Sequence, residues 1–153
     1  APILRVKSHC SAGTGPVWCE VETKDGNTLE YGNTSDSRIE AQGISTVYTW
    51  KLNRIKDQNG NYIDFSYLEG SVGANIDKIK YTGNLNNQQV PYNTIKFFYG
   101  TRSDPNTIYV GGSIIPTTAL LTSIRMKTES NALVREYQFK YNQIGRESGG
   151  ARG

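Results

Sequence analysis

Hydrophobic and polar residues alternate along much of this chain, and the clearest alternation flanks a turn sequence in the segment WKLNRIKDQNGNYIDFSY. Two runs, Trp50–Ile55 and Tyr62–Tyr67, lie on either side of the polar run Asp57–Asn61, which contains Asn-Gly. Both residues tolerate the positive φ that tight reversals need, so Asn-Gly is a strong short-range signal for a β-hairpin. The segment therefore predicts a hairpin whose second strand has one apolar and one polar face.

The same pattern occurs twice more along the chain. Leu121–Met126 and Leu133–Tyr141 flank a polar turn at Lys127–Asn131. In a looser copy, Ile76–Tyr81 and Asn93–Tyr99 flank an Asn-rich loop. A chain built from similar hairpins is typical of a repeat architecture.

Outside these hairpins, alternation predicts strands at Ile3–Lys7, Val17–Thr23 and Thr28–Tyr31. Two stretches lack alternation and are predicted to be irregular. One is the polar loop Gly32–Gly43. The other is Gly100–Thr118, where Asp-Pro and Gly-Gly are turn markers and only residues 108–110 could form a short strand.

The strands that close two of the hairpins are expected to face a shared apolar layer. The residues on that face are Ile63, Phe65, Tyr67, Tyr137, Phe139 and Tyr141. An apolar strand face is stable only when something covers it. The nearest candidate cover within the chain is the region Gly100–Thr118.

Composition supports an all-β fold. The chain has 153 residues, 10 Tyr and 16 Gly, with 36% hydrophobic residues and no apolar stripe at helical spacing. Tyr, Thr, Ile and Val favour pleated surfaces, while Gly and Asn interrupt them. We therefore predict repeated antiparallel β-hairpins that form a twisted open sheet. Residues 1–143 are expected to be one domain, and residues 144–153 a flexible Gly-rich tail.

The charge pattern argues against nucleic acid as a partner. The net charge is +3, from 17 basic and 14 acidic residues, and the basic residues are scattered over several predicted strands. A nucleic-acid site would favour a clustered basic face. Nor does any run approach the roughly 20 apolar residues that a membrane span needs.

Two cysteines, Cys10 and Cys19, flank a Gly-rich loop. One interpretation is a disulfide that closes this loop, which would indicate an oxidising location. The other is a pair of unbonded thiols on neighbouring strands. The sequence leaves both open.

The residues that could carry chemistry do not form a convincing site. The single histidine, His9, is next to Cys10, but neighbours in a strand point to opposite faces. The motif Asp57-x-Asn59-x-Asn61 imitates the start of a calcium loop, yet a tight turn uses the same residues without metal. Glu20-Val21-Glu22 is similar to the paired glutamates of mono-ADP-ribosyltransferases, but the other strands of that family do not precede it. We predict no catalytic residue, metal site or cofactor.

Aromatic residues offer one alternative function. Trp18, Trp50 and several tyrosines could form a platform on which a glycan stacks. Aromatic residues at every second position of a strand are more often core residues or cross-strand pairs.

Taken in order, the motifs resemble a known family. The segment Trp18–Gly32 (WCEVETKDGNTLEYG) resembles the one that introduces the YD-repeat, or RHS-type, shell in B components of insecticidal toxin complexes and in SpvB-type virulence proteins. Motifs of that family follow in the same order, and the resemblance covers roughly residues 17 to 142. The motifs that follow Trp18–Gly32 are Trp50–Ile63, Ile79–Tyr81, Ile95–Tyr99, Thr101–Asp104, Leu120–Ile124 and Tyr137–Tyr141.

The resemblance implies a structural role. In such toxins, YD-type hairpins form a hollow β-shell that encloses a toxic polypeptide, and the shell segment is not the enzyme. The implied partners are other segments of the parent shell and its cargo, and the implied location is secreted or at the cell surface. The alternative is a surface binding module, either glycan-binding or of the adhesin type.

Overall fold

The computed structural model describes residues 4–11, 15–40, 46–68, 75–110 and 113–141, with the backbone alone at 108, 110 and 113–116. Eleven β-strands and one short 3-10 helix, Ser35–Ser37, make up the regular structure of these residues. The strands are β1 (Arg5–His9), β2 (Trp18–Glu22), β3 (Thr28–Tyr31), β4 (Arg38–Glu40), β5 (Val47–Trp50), β6 (Leu52–Lys56), β7 (Asn61–Tyr67), β8 (Ile76–Asn84), β9 (Asn93–Val110), β10 (Ser113–Lys127) and β11 (Leu133–Gln138). The prediction of an all-β chain is confirmed.

Nine of these strands form one antiparallel sheet in the order β1-β2-β3-β6-β7-β8-β9-β10-β11. Sheet neighbours are also chain neighbours except where β3 pairs with β6. There the intervening strands β4 and β5 pair with each other in a separate small sheet. The sheet is open, with β1 and β11 at its edges, as the repeated-hairpin pattern predicted. The division at residue 143 stays a prediction, since residues 142–153 lie outside the described part.

Three hairpin turns share one set of backbone hydrogen bonds. They begin at Thr23, Asp57 and Thr128, whose N–H donates to the carbonyl four residues later. The carbonyl of the same first residue accepts from the N–H three residues later. This is the three-residue hairpin loop that ends in a left-handed residue. The left-handed positions are Gly26, Gly60 and Asn131, with φ of 78°, 79° and 61°.

The region Gly100–Thr118 is not irregular, which corrects the prediction. Strands β9 and β10 run through it as a paired ladder that extends well beyond β8 and β11. Pro105 suggested a turn. In the structure, residues 102–105 lie between two register pairs, Asn106 with Thr117 and Thr101 with Ala119, and the β9–β10 register shifts between these pairs. A bulge tolerates proline because the missing N–H is not needed by the ladder. The predicted marker at residues 111–112 lies outside the described part.

The loop predicted at Gly32–Gly43 also contains regular structure, namely the 3-10 helix and β4. A strand of three residues is too short for alternation to be visible in the sequence. Lys51 separates β5 from β6, so Trp50 belongs to the small sheet and not to the first strand of the hairpin. The first strand begins at Arg5, two residues later than the predicted Ile3.

The register makes one face of the large sheet apolar. Directly paired residues of neighbouring strands point to the same face, so the pairs can be followed across the sheet. We call this surface the apolar face. Its members are Val6, Val21, Leu29, Ile55, Ile63, Phe65, Ile79, Ile95, Phe97, Ile124, Met126 and Tyr137.

The opposite surface, the charged face, has an equally consistent character. Its residues are predominantly Lys, Arg, Asp and Glu, which pair directly from strand to strand. They are Lys7, Glu20, Glu30, Arg54, Asp64, Lys78, Lys80, Lys96, Arg125, Lys127 and Glu136. The sheet therefore presents two chemically different surfaces.

The apolar face is not covered by another layer of the described chain. Among the described residues, Val47 and Tyr62 are the only buried hydrophobic ones, at 4% and 9% exposure, and Ile63 is 36% exposed. Strands β9 and β10 contact mainly their ladder neighbours. The side chains of 108, 110, 114 and 115, which were the candidate cover, lie outside the described part, so cover by this region stays a prediction.

Candidate functional surface

Trp50 connects the small sheet to the chain before β2. Its indole N–H donates to the carbonyls of Pro16 and Val17, at 3.1 and 3.0 Å. Its ring lies against Gly32, where a Cβ would come within 2.5 Å of a ring carbon. These contacts give Trp50 a structural role.

Trp18 also makes an internal contact. Its ring stacks on His9, which is its partner in the β1–β2 register, with ring centroids 3.7 Å apart and an angle of 7° between the planes. One ring face that a sugar would use is therefore occupied. Because Trp50 is engaged as well, no contact of either tryptophan favours the glycan-binding alternative.

No bond joins the two cysteines in this structure, where Cys10 is exposed and Cys19 is half-buried. Cys19 lies opposite Ser8 in the β1–β2 register, and Cys10 follows the end of β1 with a φ of 55°. A bond between Cys10 and Cys19 stays a prediction. His9 faces Trp18, and no described contact joins it to either thiol.

Asp57 uses its carboxylate to hold the hairpin turn. Its Oδ1 accepts from the backbone N–H groups of Asn59 and Asn61, at 2.9 and 2.8 Å, and its Oδ2 accepts from the side-chain amide of Asn61 at 2.8 Å. Hydrogen bonding by Asn61 lowers the pKa of Asp57. These hydrogen bonds give the Asp57 carboxylate a role in the turn that needs no metal.

Ion pairs connect neighbouring strands on the charged face. Arg54 holds Asp64 through two hydrogen bonds of 2.6 and 3.0 Å, and the Asp64 hydrogen bond raises the pKa of Arg54. Lys7 binds both Glu20, at 3.1 Å, and Glu22. The two glutamates that are similar to a transferase motif therefore belong to this network of cross-strand pairs.

Two buried polar residues on bulges were missed by the sequence analysis. Asn53, at 5% exposure, accepts from the backbone N–H of Asn33 at 2.9 Å and donates to Glu30 at 3.2 Å. Asp77, at 9% exposure, binds Lys96 and lies 3.7 Å from Lys78. Each is the extra residue of a register shift, and period-two alternation has no signal for a bulge.

The largest candidate surface for binding is the apolar face itself. Three of its twelve members are exposed, namely Val6 at 63%, Tyr137 at 44% and Ile63 at 36%, and the other nine are half-buried. Apolar residues that share one accessible face are typical of sites of protein association. Within the described ranges, no group of three His, Cys, Asp or Glu residues could hold a metal ion. None of the described residues forms a helix long and apolar enough to cross a membrane.

With the geometry established, the family can be assigned. Residues 3–133 match the SpvB family, described as Salmonella virulence plasmid 65kDa B protein. This chain belongs to the SpvB family. No curated protein sequence matches the chain.

Solved structures show the same fold. The N-terminal domain of the effector protein SpvB from Salmonella typhimurium strain LT2 has a TM-score of 0.69 and 16% identity, covering 84% of this chain and 55% of that one. The structure of TcdB2-TccC3-Cdc42 has a TM-score of 0.73 and 15% identity, covering 92% and 9%. TcdB2-TccC3 has a TM-score of 0.66 and 15% identity, covering 87% and 9%. The chain thus spans about half of the SpvB domain.

Proposed function

We propose that this SpvB-family chain is a non-catalytic wall segment of a toxin-type protein, and that it helps to enclose or deliver a toxic polypeptide. The observation that carries the proposal is the uncovered apolar face of the nine-stranded sheet. A sheet with one apolar and one charged face is suited to separate water from a protein-lined interior. In this arrangement the charged face is turned to solvent.

The proposed partners follow from the two features that the sheet leaves open. No described strand pairs with the outer side of the edge strands β1 and β11, and further strands of a longer polypeptide can be added there. Its apolar face would contact other shell segments or the enclosed polypeptide. We expect the natural polypeptide to act outside the cell that makes it, either secreted or at the cell surface.

Residues Ile95 and Thr94 provide a matched test, because they are neighbours in β9 and point to opposite faces. In the natural polypeptide that contains this chain, Ile95→Asp places a charge on the apolar face, while Thr94→Asp places it on the charged face beside Lys80. We expect hollow particles for the natural sequence and for Thr94→Asp in negative-stain images. Ile95→Asp is expected to abolish them, because an unpaired carboxylate would be buried.

Circular dichroism of the two variants in the 153-residue chain separates assembly from folding. The apolar face is open there, so both variants should keep the β spectrum of the unmodified chain. A compact solid particle for the natural polypeptide would refute the proposal. Hollow particles that persist in Ile95→Asp would refute the assigned role of the apolar face.

A further inference from the structure

A groove on the charged face has features that the wall function does not require. It lies over β9, between the loop that joins β8 to β9 and the turn that joins β10 to β11, and has a volume of about 490 Å³. Its floor is formed by the alternate β9 residues Thr94, Lys96 and Phe98 and by Tyr92, which directly precedes the strand. We call this depression the basic groove.

Lysines border the groove in a regular arrangement. Lys80 and Lys127 are both registered opposite Thr94, one on each side of β9. Two inter-strand spacings of about 4.8 Å separate their backbones by about 10 Å. In the next row of the sheet, Lys78 and Arg125 lie in the same way on either side of Lys96.

The two rows differ in how their charges are compensated. In the second row, Asp77 binds Lys96 and Glu136 accepts from Arg125 at 2.9 Å. In the first row, neither Lys80 nor Lys127 has a carboxylate partner among the described residues. The ammonium of Lys127 donates to the neutral side chain of Asn131 at 2.9 Å, which leaves its charge uncompensated.

The acidic residues near Lys80 and Lys127 do not form ion pairs with these two lysines. Asp64 is registered opposite Lys80, but Arg54 holds both of its oxygens, at 2.6 and 3.0 Å. Glu129 is the single acidic residue in the lining of the groove. Two lysines whose backbones are about 10 Å apart are thus available to bind external anionic groups.

Apolar side chains stand beside these cations. Val90 is 69% exposed and Tyr92 is 40% exposed, and both line the groove. The ring of Phe98 forms the other end of the floor, under the guanidinium of Arg125 at 4.5 Å. An occupant that satisfies the groove would carry carboxylates together with apolar groups.

We propose that the basic groove docks an extended acidic polypeptide segment, with two carboxylates on Lys80 and Lys127 and an apolar side chain between Val90 and Tyr92. Carboxylates two residues apart in an extended strand point to the same side about 7 Å apart, and the long lysine side chains can meet them from backbones about 10 Å apart. The closely spaced phosphates of a nucleic acid would need a longer row of uncompensated cations than these two lysines. The proposal does not rest on the wall function, because it concerns the other face.

Fluorescence anisotropy on the 153-residue chain tests the proposal at low salt. The probe is a short fluorescein-labelled peptide that alternates Glu with Thr and Leu. Comparison probes are the same peptide with Gln in place of Glu, and a labelled oligothymidylate. We expect saturable binding of the Glu peptide alone.

The variants identify the groove as the site. Lys80→Gln combined with Lys127→Gln should weaken binding about tenfold, because each exposed ion pair lost weakens it by about threefold. Lys56→Gln removes a cation from the same face outside the groove lining and should change the affinity by less than about twofold. Tyr92→Ser should weaken binding without changing its salt dependence.

Three outcomes would overturn the proposal. They are absence of saturable binding by the Glu peptide, equal or tighter binding of the oligothymidylate, and an equal loss of affinity in Lys56→Gln and in the double variant. Lys80 and Tyr92 are exposed and Lys56 and Lys127 are half-buried, so circular dichroism should show the same β spectrum for all variants. A lost spectrum in the double variant would also overturn it, since the lysines would then be structural.

Discussion

At the residue scale, each hairpin turn depends on one residue that adopts a positive φ. Gly60 has a φ of 79°, and an added Cβ there would lie 3.0 Å from the side chain of Asn86. Asn131 occupies the equivalent position in the last turn with a φ of 61°. Asn59-Gly60 predicted the turn at Gly60, because tolerance of positive φ is a property of these residues themselves.

Replacing Gly60 by Val should lower the free energy of unfolding by more than about 1 kcal/mol, since a β-branched residue is strained at positive φ. Asn131→Gly is the matched control and should change it by less than about 0.5 kcal/mol. Urea unfolding of the two variants measures both values. A harmless Gly60→Val would contradict the assigned turn.

The carboxylate of Asp57 gives a prediction about acid. Its pKa is lowered in the folded chain from the ordinary value of 3.8, first by the side-chain hydrogen bond from Asn61. A lowered pKa means that the charged form stabilises the fold above pH 3.8 and that this contribution is lost as pH falls through the lowered value. The stability difference between the natural chain and Asp57→Asn should therefore shrink below pH 3.8. Thermal unfolding across this range measures it, and a constant difference would exclude the charge of Asp57 as the cause.

At the scale of strands, the sequence predicted the elements that depend on residues close together in the chain. Alternation located β2, β3, β7 and β11. Turn residues located the hairpins that join β2 to β3, β6 to β7 and β10 to β11. Alternation did not locate the short β4, whose stability depends on its partner β5. Nor did it locate the strand through Pro105, where a bulge accommodates the proline ring. Bulges and distant pairing leave no periodic signal in a single strand.

The exposure of single strand residues leads to a prediction that compares two aromatic side chains. Phe139 is 40% exposed, whereas Tyr62 is 9% exposed and lies between Gly83 and the guanidinium of Arg54, 4.4 Å from its ring. Phe139→Ala should cost about 1 kcal/mol or less in the 153-residue chain. Tyr62→Ala should cost about 3 kcal/mol. Guanidinium unfolding distinguishes them, and a cost at Phe139 as large as that at Tyr62 would contradict the exposed position of Phe139.

At the scale of the molecule, the important property is the difference between the two faces. Alternation inside each strand can be read from the sequence, but the register that joins nine strands into one sheet with two different surfaces cannot. It also could not show that nothing in the described chain lies over the apolar face. The basic groove was missed for a similar reason, because its lysines come from three strands that only the register brings together.

The central claim is that the apolar face becomes covered in the natural polypeptide. Hydroxyl-radical footprinting with mass spectrometry tests it without any substitution, since Met126, the single methionine, and Tyr137 lie on this face, while Tyr92 and Phe98 lie on the other. Met126 and Tyr137 should oxidise readily in the 153-residue chain and be protected in the natural polypeptide, with little change at Tyr92 and Phe98. Equal oxidation of Met126 and Tyr137 in both samples would contradict the account.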